Sequence, residues 1–178
     1  MTSPSMLRIV FLLSLAASSF CAAQTYSVTD LGTLPGDGYS VAQAINATGQ
    51  VTGAAGSNNS PNSSVFVYSN GVLTNLGTLG GPSGIGNGIN SSGQVAGYSH
   101  NGSGIYRAFL SNGHTLTDIG DLGGGSAVAY AINDLAQVVG TAVTAAMAAT
   151  AATAVITVVT AGMAAPAWVT AGMAAPAS

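Results

Sequence analysis

Few side chains in this sequence are able to do chemistry: His100, His114, five aspartates (Asp30, Asp37, Asp118, Asp121 and Asp134), two arginines (Arg8 and Arg107) and Cys21. Catalysis needs a nucleophile beside a base, a carboxylate pair or a metal cage. His100 in "YSHNGSG" and His114 just after Asn112-Gly113 both read as loop residues, and the two do not stand at a metal-ligand spacing. Asp37 in "LPGDG" invites a calcium reading, but an EF-hand loop needs several carboxylates and a closing Glu, and the chain has no Glu. "LGGGSA" (122–127) is glycine-rich, yet it lacks the Lys and the helical pattern of a phosphate loop. The sequons at Asn46, Asn58, Asn62, Asn90 and Asn101 are what an Asn/Ser/Thr-rich turn protein produces by chance. The residues thus predict no catalytic group, no cofactor and no metal ligand, and the protein is expected not to be an enzyme. A net charge of −3 excludes the basic footprint of a nucleic-acid binder.

The start of the chain reads as an export signal. Arg8 is followed by the apolar run "IVFLLSLAA" (9–17), and "CAA" (21–23) places small residues ahead of a cut before Gln24. Residues 1–23 are therefore expected to be a signal peptide sending the protein to the extracellular space, the periplasm or the cell surface. In the rival reading, a lipoprotein signal leaves Cys21 acylated as the first mature residue, but Phe20 is bulky where that peptidase takes a small side chain. Cleavage at 23 removes the only Cys, so the mature chain has no disulfide, and Arg107 is its only Arg or Lys.

The elements that would position any site come from a repeat. "TDLGTLPG" (29–36), "TNLGTLGG" (74–81) and "TDIGDLGG" (117–124) recur in order with "INATGQVTG" (45–53), "INSSGQVAG" (89–97) and "INDLAQVVG" (132–140), and with "VFVYSNG" (65–71) and "AFLSNG" (108–113). Their offsets run from 43 to 45 residues, a period of about 44. Ahead of each "IN" string, Val41 and Ile45 alternate with Ala42 and Ala44, Ile85 and Ile89 with Gly86 and Gly88, and Val128 and Ile132 with Ala129 and Ala131. Period-two alternation predicts a strand with one β-branched face and one face small enough for a neighbouring sheet to approach closely.

Asn46, Asn90 and Asn133 open the following corner, and Gly49 and Gly93 supply the left-handed residue it needs. Ala136 replaces that glycine in the third copy, so this corner should be the weakest or should turn differently. Asn-Gly at 70–71 and 112–113 predicts type I′ hairpins through Gly71 and Gly113. The spacing-by-three of Leu73, Leu76 and Leu79, interrupted by Gly77 and closed by Gly80-Gly81, predicts a bent strand; Gly120 and Gly124 take the same places one repeat later. The expected fold is all-β, with tandem four-stranded antiparallel repeats of about 44 residues. These are propeller-blade-like and too few to close, with a β-solenoid as the second architecture.

The stretch "RAFLSNGHTLTDIGDLGGGSAVAYAINDLAQVVG" (107–140) resembles the bacterial extracellular HAF repeat, with its Ala-Phe-Leu, Asn-Gly, Asp-Leu-Gly-x-Leu-Gly-Gly and Ile-Asn-x-x-Gly-Gln-Val-x-Gly blocks in order. The resemblance covers residues 28–140, about two and a half repeats. It departs where the family's His is Ser64 and then Arg107, where its Trp is Tyr68 and then deleted, and at Ala136. It implies export and a repetitive β-fold, and no established activity.

After Gly140 the pattern gives way to an uncharged Ala/Thr-rich tail (141–178) in which "VTAGMAAPA" occurs twice. The readings are a frameshifted or truncated repeat protein, a low-complexity tail, or a weak membrane segment over 143–165, none giving a folded core. The organisation expected is signal peptide 1–23, β-repeat domain 24–140 and tail 141–178. The expected role is an exported interaction or structural module binding a glycan or protein; Tyr39, Tyr98, Tyr106 and Tyr130 are the candidate contact aromatics, with core packing the role expected first for each. The alternative is a fragment of a propeller-type carbohydrate-active enzyme. With too few repeats to close, open sheet edges should make the chain self-associate.

Overall fold

The computed structural model describes residues 25–144 and 153–158; the signal peptide expected over 1–23 and most of the Ala/Thr-rich tail lie outside them. The chain divides into two units, Met1–Asp30 and Leu31–Ser178, and every named strand belongs to the second. Each sequence repeat becomes one antiparallel meander. The first comprises β1 (Tyr39–Ile45), β2 (Val51–Gly56), β3 (Ser63–Ser69) and β4 (Val72–Gly77). The second comprises β5 (Gly80–Ile89), β6 (Val95–Asn101), β7 (Tyr106–Ser111) and β8 (Leu116–Asp118). β9 (Gly123–Ile132), β10 (Val138–Thr144) and β11 (Thr153–Val158) form the third. Within each repeat, neighbours in sequence pair antiparallel, while one parallel bridge, Ser63 to Ser83, joins the first two repeats. The fold is all-β, made of mostly antiparallel open sheets.

The alternation expected in the first strand of each repeat is interrupted at the same place in all three copies. Gln43, Asn87 and Tyr130 drop out of register as bulges: Ala42 and Ala44 pair with Gly53 and Thr52, Gly86 and Gly88 with Gly97 and Ala96, and Ala129 and Ala131 with Gly140 and Val139. The bulge pushes a carbonyl inward against the partner strand. A Cβ on Gly53, Gly97 or Gly140 would overlap the carbonyl oxygen of Val41, Ile85 or Val128. This accounts for the last glycine of every "IN…G" string, for which turn chemistry gave no reason.

The core lies between sheets. One cluster joins Val65, Val67 and Leu76 of the first repeat to Ile89, Val95 and Phe109 of the second. The next joins Ala96 and Ala108 of the second repeat to Ala127, Ala129, Val138 and Ala142 of the third. On the other side of the first repeat, Leu34 packs with Val51, Ala55 and Phe66. A single meander has only half a core, so stacking supplies the rest. Small residues on both faces permit it, because the bulge separates the alternating set expected on one face: a Cβ on Gly86 would press on Thr52 and Val65 of the first repeat, and one on Gly88 would sit 3.1 Å from the Ala131 Cα of the third.

Two local expectations need correction. Asn70 and Gly71 both have positive φ (51° and 85°), the two-residue type I′ geometry, between Ser69 and Val72. In the second repeat only Gly113 does (92°), and four residues separate Ser111 from its partner Leu116. The deletion that removed the aromatic before Ser111 moved Asn-Gly one step early against the ladder. A two-residue turn there would force His114 left-handed, so the loop widens and Asn112 Oδ1 accepts from the His114 and Thr115 amides at 3.0 Å each.

The second correction concerns residues beyond Gly140. β10 runs on to Thr144, and β11 adds a third strand to the last meander. Ile156 stands opposite Gly140 in the register that Phe66 holds opposite Gly53 and Phe109 opposite Gly97. The recognisable repeat ends in the sequence before it ends in the backbone, since "TAVITV" keeps the β-branched content that a strand needs. No helix among the described residues is long and apolar enough to cross a membrane.

Candidate functional site

The three corners share one hydrogen-bond pattern. Asn46, Asn90 and Asn133 each accept at Oδ1 from the amides two and four residues on (Thr48 and Gln50, Ser92 and Gln94, Leu135 and Gln137), at 2.9–3.1 Å. Each donates Nδ2 to the side-chain oxygen of Gln50, Gln94 or Gln137 at 2.7–2.8 Å. Gly49 and Gly93 close their corners at φ 81° and 77°, and Ala136 adopts the same left-handed state at 57°. The third corner therefore keeps the turn and accepts the strain of a Cβ there. Asn46 also donates to the Asn90 carbonyl, and Asn90 to the Asn133 carbonyl, so the corners form a ladder of side-chain amides across repeats. Gly81 and Gly124 are needed for close approach instead, because a Cβ on either would collide with the backbone of His100 and Asn101, or with Val143.

The aromatic residues gather on the second repeat. His100 and Tyr106 face each other across β6 and β7, with ring centroids 4.1 Å apart and planes tilted by 36°. Tyr98, on the same face of β6, meets Tyr106 edge-on at 5.4 Å. Burial pushes the Tyr98 phenol above its usual pKa, and the nearby Tyr106 and Tyr130 hydroxyls add to the rise. Tyr106 and Tyr130 are about half exposed (45% and 54%). Ser83 Oγ, 2.7 Å from His100 Nδ1, fixes the imidazole beneath Tyr106. Tyr39 sits apart, against Gly56. His114 lies exposed in the widened loop.

Arg107 holds the junction between the second and third repeats. Its guanidinium pairs with Asp118 at 2.8 Å and with Asp121, and also donates to the Gly125 carbonyl at 3.1 Å. Burial would raise the Asp121 carboxyl, but the Gly123 amide and Arg107 hold it below the ordinary carboxylate value. One repeat earlier, Ser64 and Thr78 occupy the places of Arg107 and Asp121, and an open cleft of about 400 Å³ stands there, lined by Asp37, Ser57, Asn62, Ser63, Ser64 and Thr78 among others. No group of three metal-ligating side chains forms among the described residues.

Sequence reasoning found the corner residues and named Tyr98, Tyr106 and Tyr130, but neither their gathering around His100 nor the ionic junction. The cluster depends on the β6–β7 register, which the sequence does not state. A signal for the junction was present: Arg107 and Asp121 are charges at positions that are neutral in the preceding copy. Compared with known family models, curated proteins and solved structures, the chain matches none.

Proposed function

We propose that this chain is an exported interaction module of the HAF-repeat type, a short stack of propeller-blade-like sheets that holds an extracellular glycan or protein on its aromatic edge. The observation that carries this reading is the Tyr98–His100–Tyr106 cluster with exposed Tyr130 nearby. Such rings combine an apolar face with a hydrogen-bonding tip, a pairing suited to the C–H face and hydroxyls of a sugar or to a protein partner. The blade-like reading is supported by four-strand meanders paired in chain order and by the packing of β5 and β9 over the preceding sheet. Antiparallel ladders speak against a parallel β-helix. Export rests on Arg8, the apolar run 9–17 and the small residues before Gln24.

An enzymatic role is not favoured. Asp118 and Asp121 are both held by Arg107, and among the described residues no carboxylate is hydrogen-bonded to the imidazole of the Ser83–His100 pair. The test is retention on a panel of immobilised polysaccharides and extracellular proteins, with Tyr106→Ala as the variant. Retention without release of reducing sugar is expected, weakened about tenfold by Tyr106→Ala, or ~1.4 kcal/mol. Release of reducing ends would make the chain an enzyme, and retention on nothing would end the proposal.

A further inference from the structure

At the leading end of the stack Leu34 covers Val51 and Phe66, but the part of the inter-repeat contact beside the corners is left open at both ends. Ile89 is 8% exposed where it meets the first repeat, whereas its counterpart Ile45 is 70% exposed. Ala96 and Thr52 are fully covered by the sheet that follows them, whereas their counterpart Val139 is 43% exposed. The corner ladder shows the same asymmetry. Asn46 and Asn90 each donate forward to the next corner carbonyl, while Asn133 donates within its own corner and is exposed.

We propose that the leading face of the first repeat (Ala42, Ile45 and the Asn46 carbonyl) receives the trailing face of the third repeat (Asn133 and Val139) of a second copy. The occupant is argued from continuity: the faces that meet inside one chain are the same positions, one repeat apart, as those left open at its ends. Stacking brings Asn133 Nδ2 to the Asn46 carbonyl of the second copy, as Asn46 meets Asn90 within the chain. The contact is heterologous, so copies add head to tail and end in a ring or a growing filament according to the rotation per step. It joins sheet faces, and so differs from pairing of sheet edges.

The experiment is sedimentation of the full chain across a hundredfold concentration range, beside Ile45→Lys and Val139→Lys. Both positions are exposed, and circular dichroism melting of each variant checks that it folds. The average mass of the natural chain should rise with concentration. Each variant should stay monomeric alone, and an equimolar mixture should form a species of twice the monomer mass, because each contributes the face that the other lacks. A natural chain that stays monomeric throughout overturns the proposal. So does a single variant that still dimerises, which would indicate edge pairing or a face meeting its own copy, and so does a mixture that remains monomeric.

Discussion

Asn46 Nδ2 donates to the main-chain carbonyl of Asn90 at 2.8 Å, across 44 residues of sequence. Asn90 repeats the act towards Asn133 at 3.2 Å, and at 3% exposure it is the corner most cut off from water. Replacing Asn90 with Ala removes the acceptor of the Ser92 and Gln94 amides and the donor to the Asn133 carbonyl, at the corner whose Asn side chain is buried. The expected cost is about 2–3 kcal/mol, against about 1 kcal/mol or less for Asn133→Ala, whose corner is exposed. Urea unfolding of the two variants measures the difference, and equal losses would show that the ladder adds nothing beyond the local turn.

Ala136 holds φ at 57° in a position that glycine fills in the other two corners. Ala136→Gly should stabilise the protein by about 1 kcal/mol, since relief of the left-handed Cβ outweighs the extra freedom of the unfolded chain. The reverse change, Gly93→Ala, should cost about 1–2 kcal/mol. Thermal melts of both variants decide the matter, with opposite shifts in Tm expected.

The Arg107 junction makes stability depend on acid. The folded-state pKa of Asp121 lies below its unfolded value, so its contribution is complete above the ordinary carboxylate pKa of about 4 and is lost as pH falls through the folded value. The Asp134 carboxylate, which accepts from the Ser91 amide, is lowered in the same direction. Asp121→Asn should therefore lose stability at neutral pH, by about 1–3 kcal/mol, and show a flatter decline than the natural chain as pH falls below about 4. A parallel decline in both proteins would place the acid sensitivity elsewhere.

The two inter-sheet cores are unequal. Phe109, Ile89, Leu76 and three valines fill the first, whereas the second is built from the alanines Ala96, Ala108, Ala127, Ala129 and Ala142 around Val138. Less apolar surface is removed from water in the second, so the third repeat should open first. Hydrogen exchange should find the β5–β7 amides best protected and those of β9 and β10 exchanging sooner. Uniform protection across β1–β10 would contradict this.

Strand content, period and corners were legible because they follow from local rules: two-residue alternation, Asn before a turn, Gly where φ is positive. The bulges at Gln43, Asn87 and Tyr130 were not, because a bulge appears only when two strands are paired. Recurrence of Gly53, Gly97 and Gly140 was the visible trace of the problem they solve. The second hairpin misled for a related reason. Asn112-Gly113 is a correct turn signal, displaced by one residue against a register that the neighbouring strand sets. β11 escaped notice because a strand added to an existing edge needs β-branched residues more than it needs a motif.

One consequence of the inter-sheet core concerns how such a gene can lengthen. A duplicated segment of 43 or 44 codons, cut at any point of the period, gives the newcomer a neighbour already shaped for it on both sides. Insertion of half that length strands an unfinished sheet in the middle of the array. Growth in whole units is thus inherited from the way each sheet borrows its interior from the next.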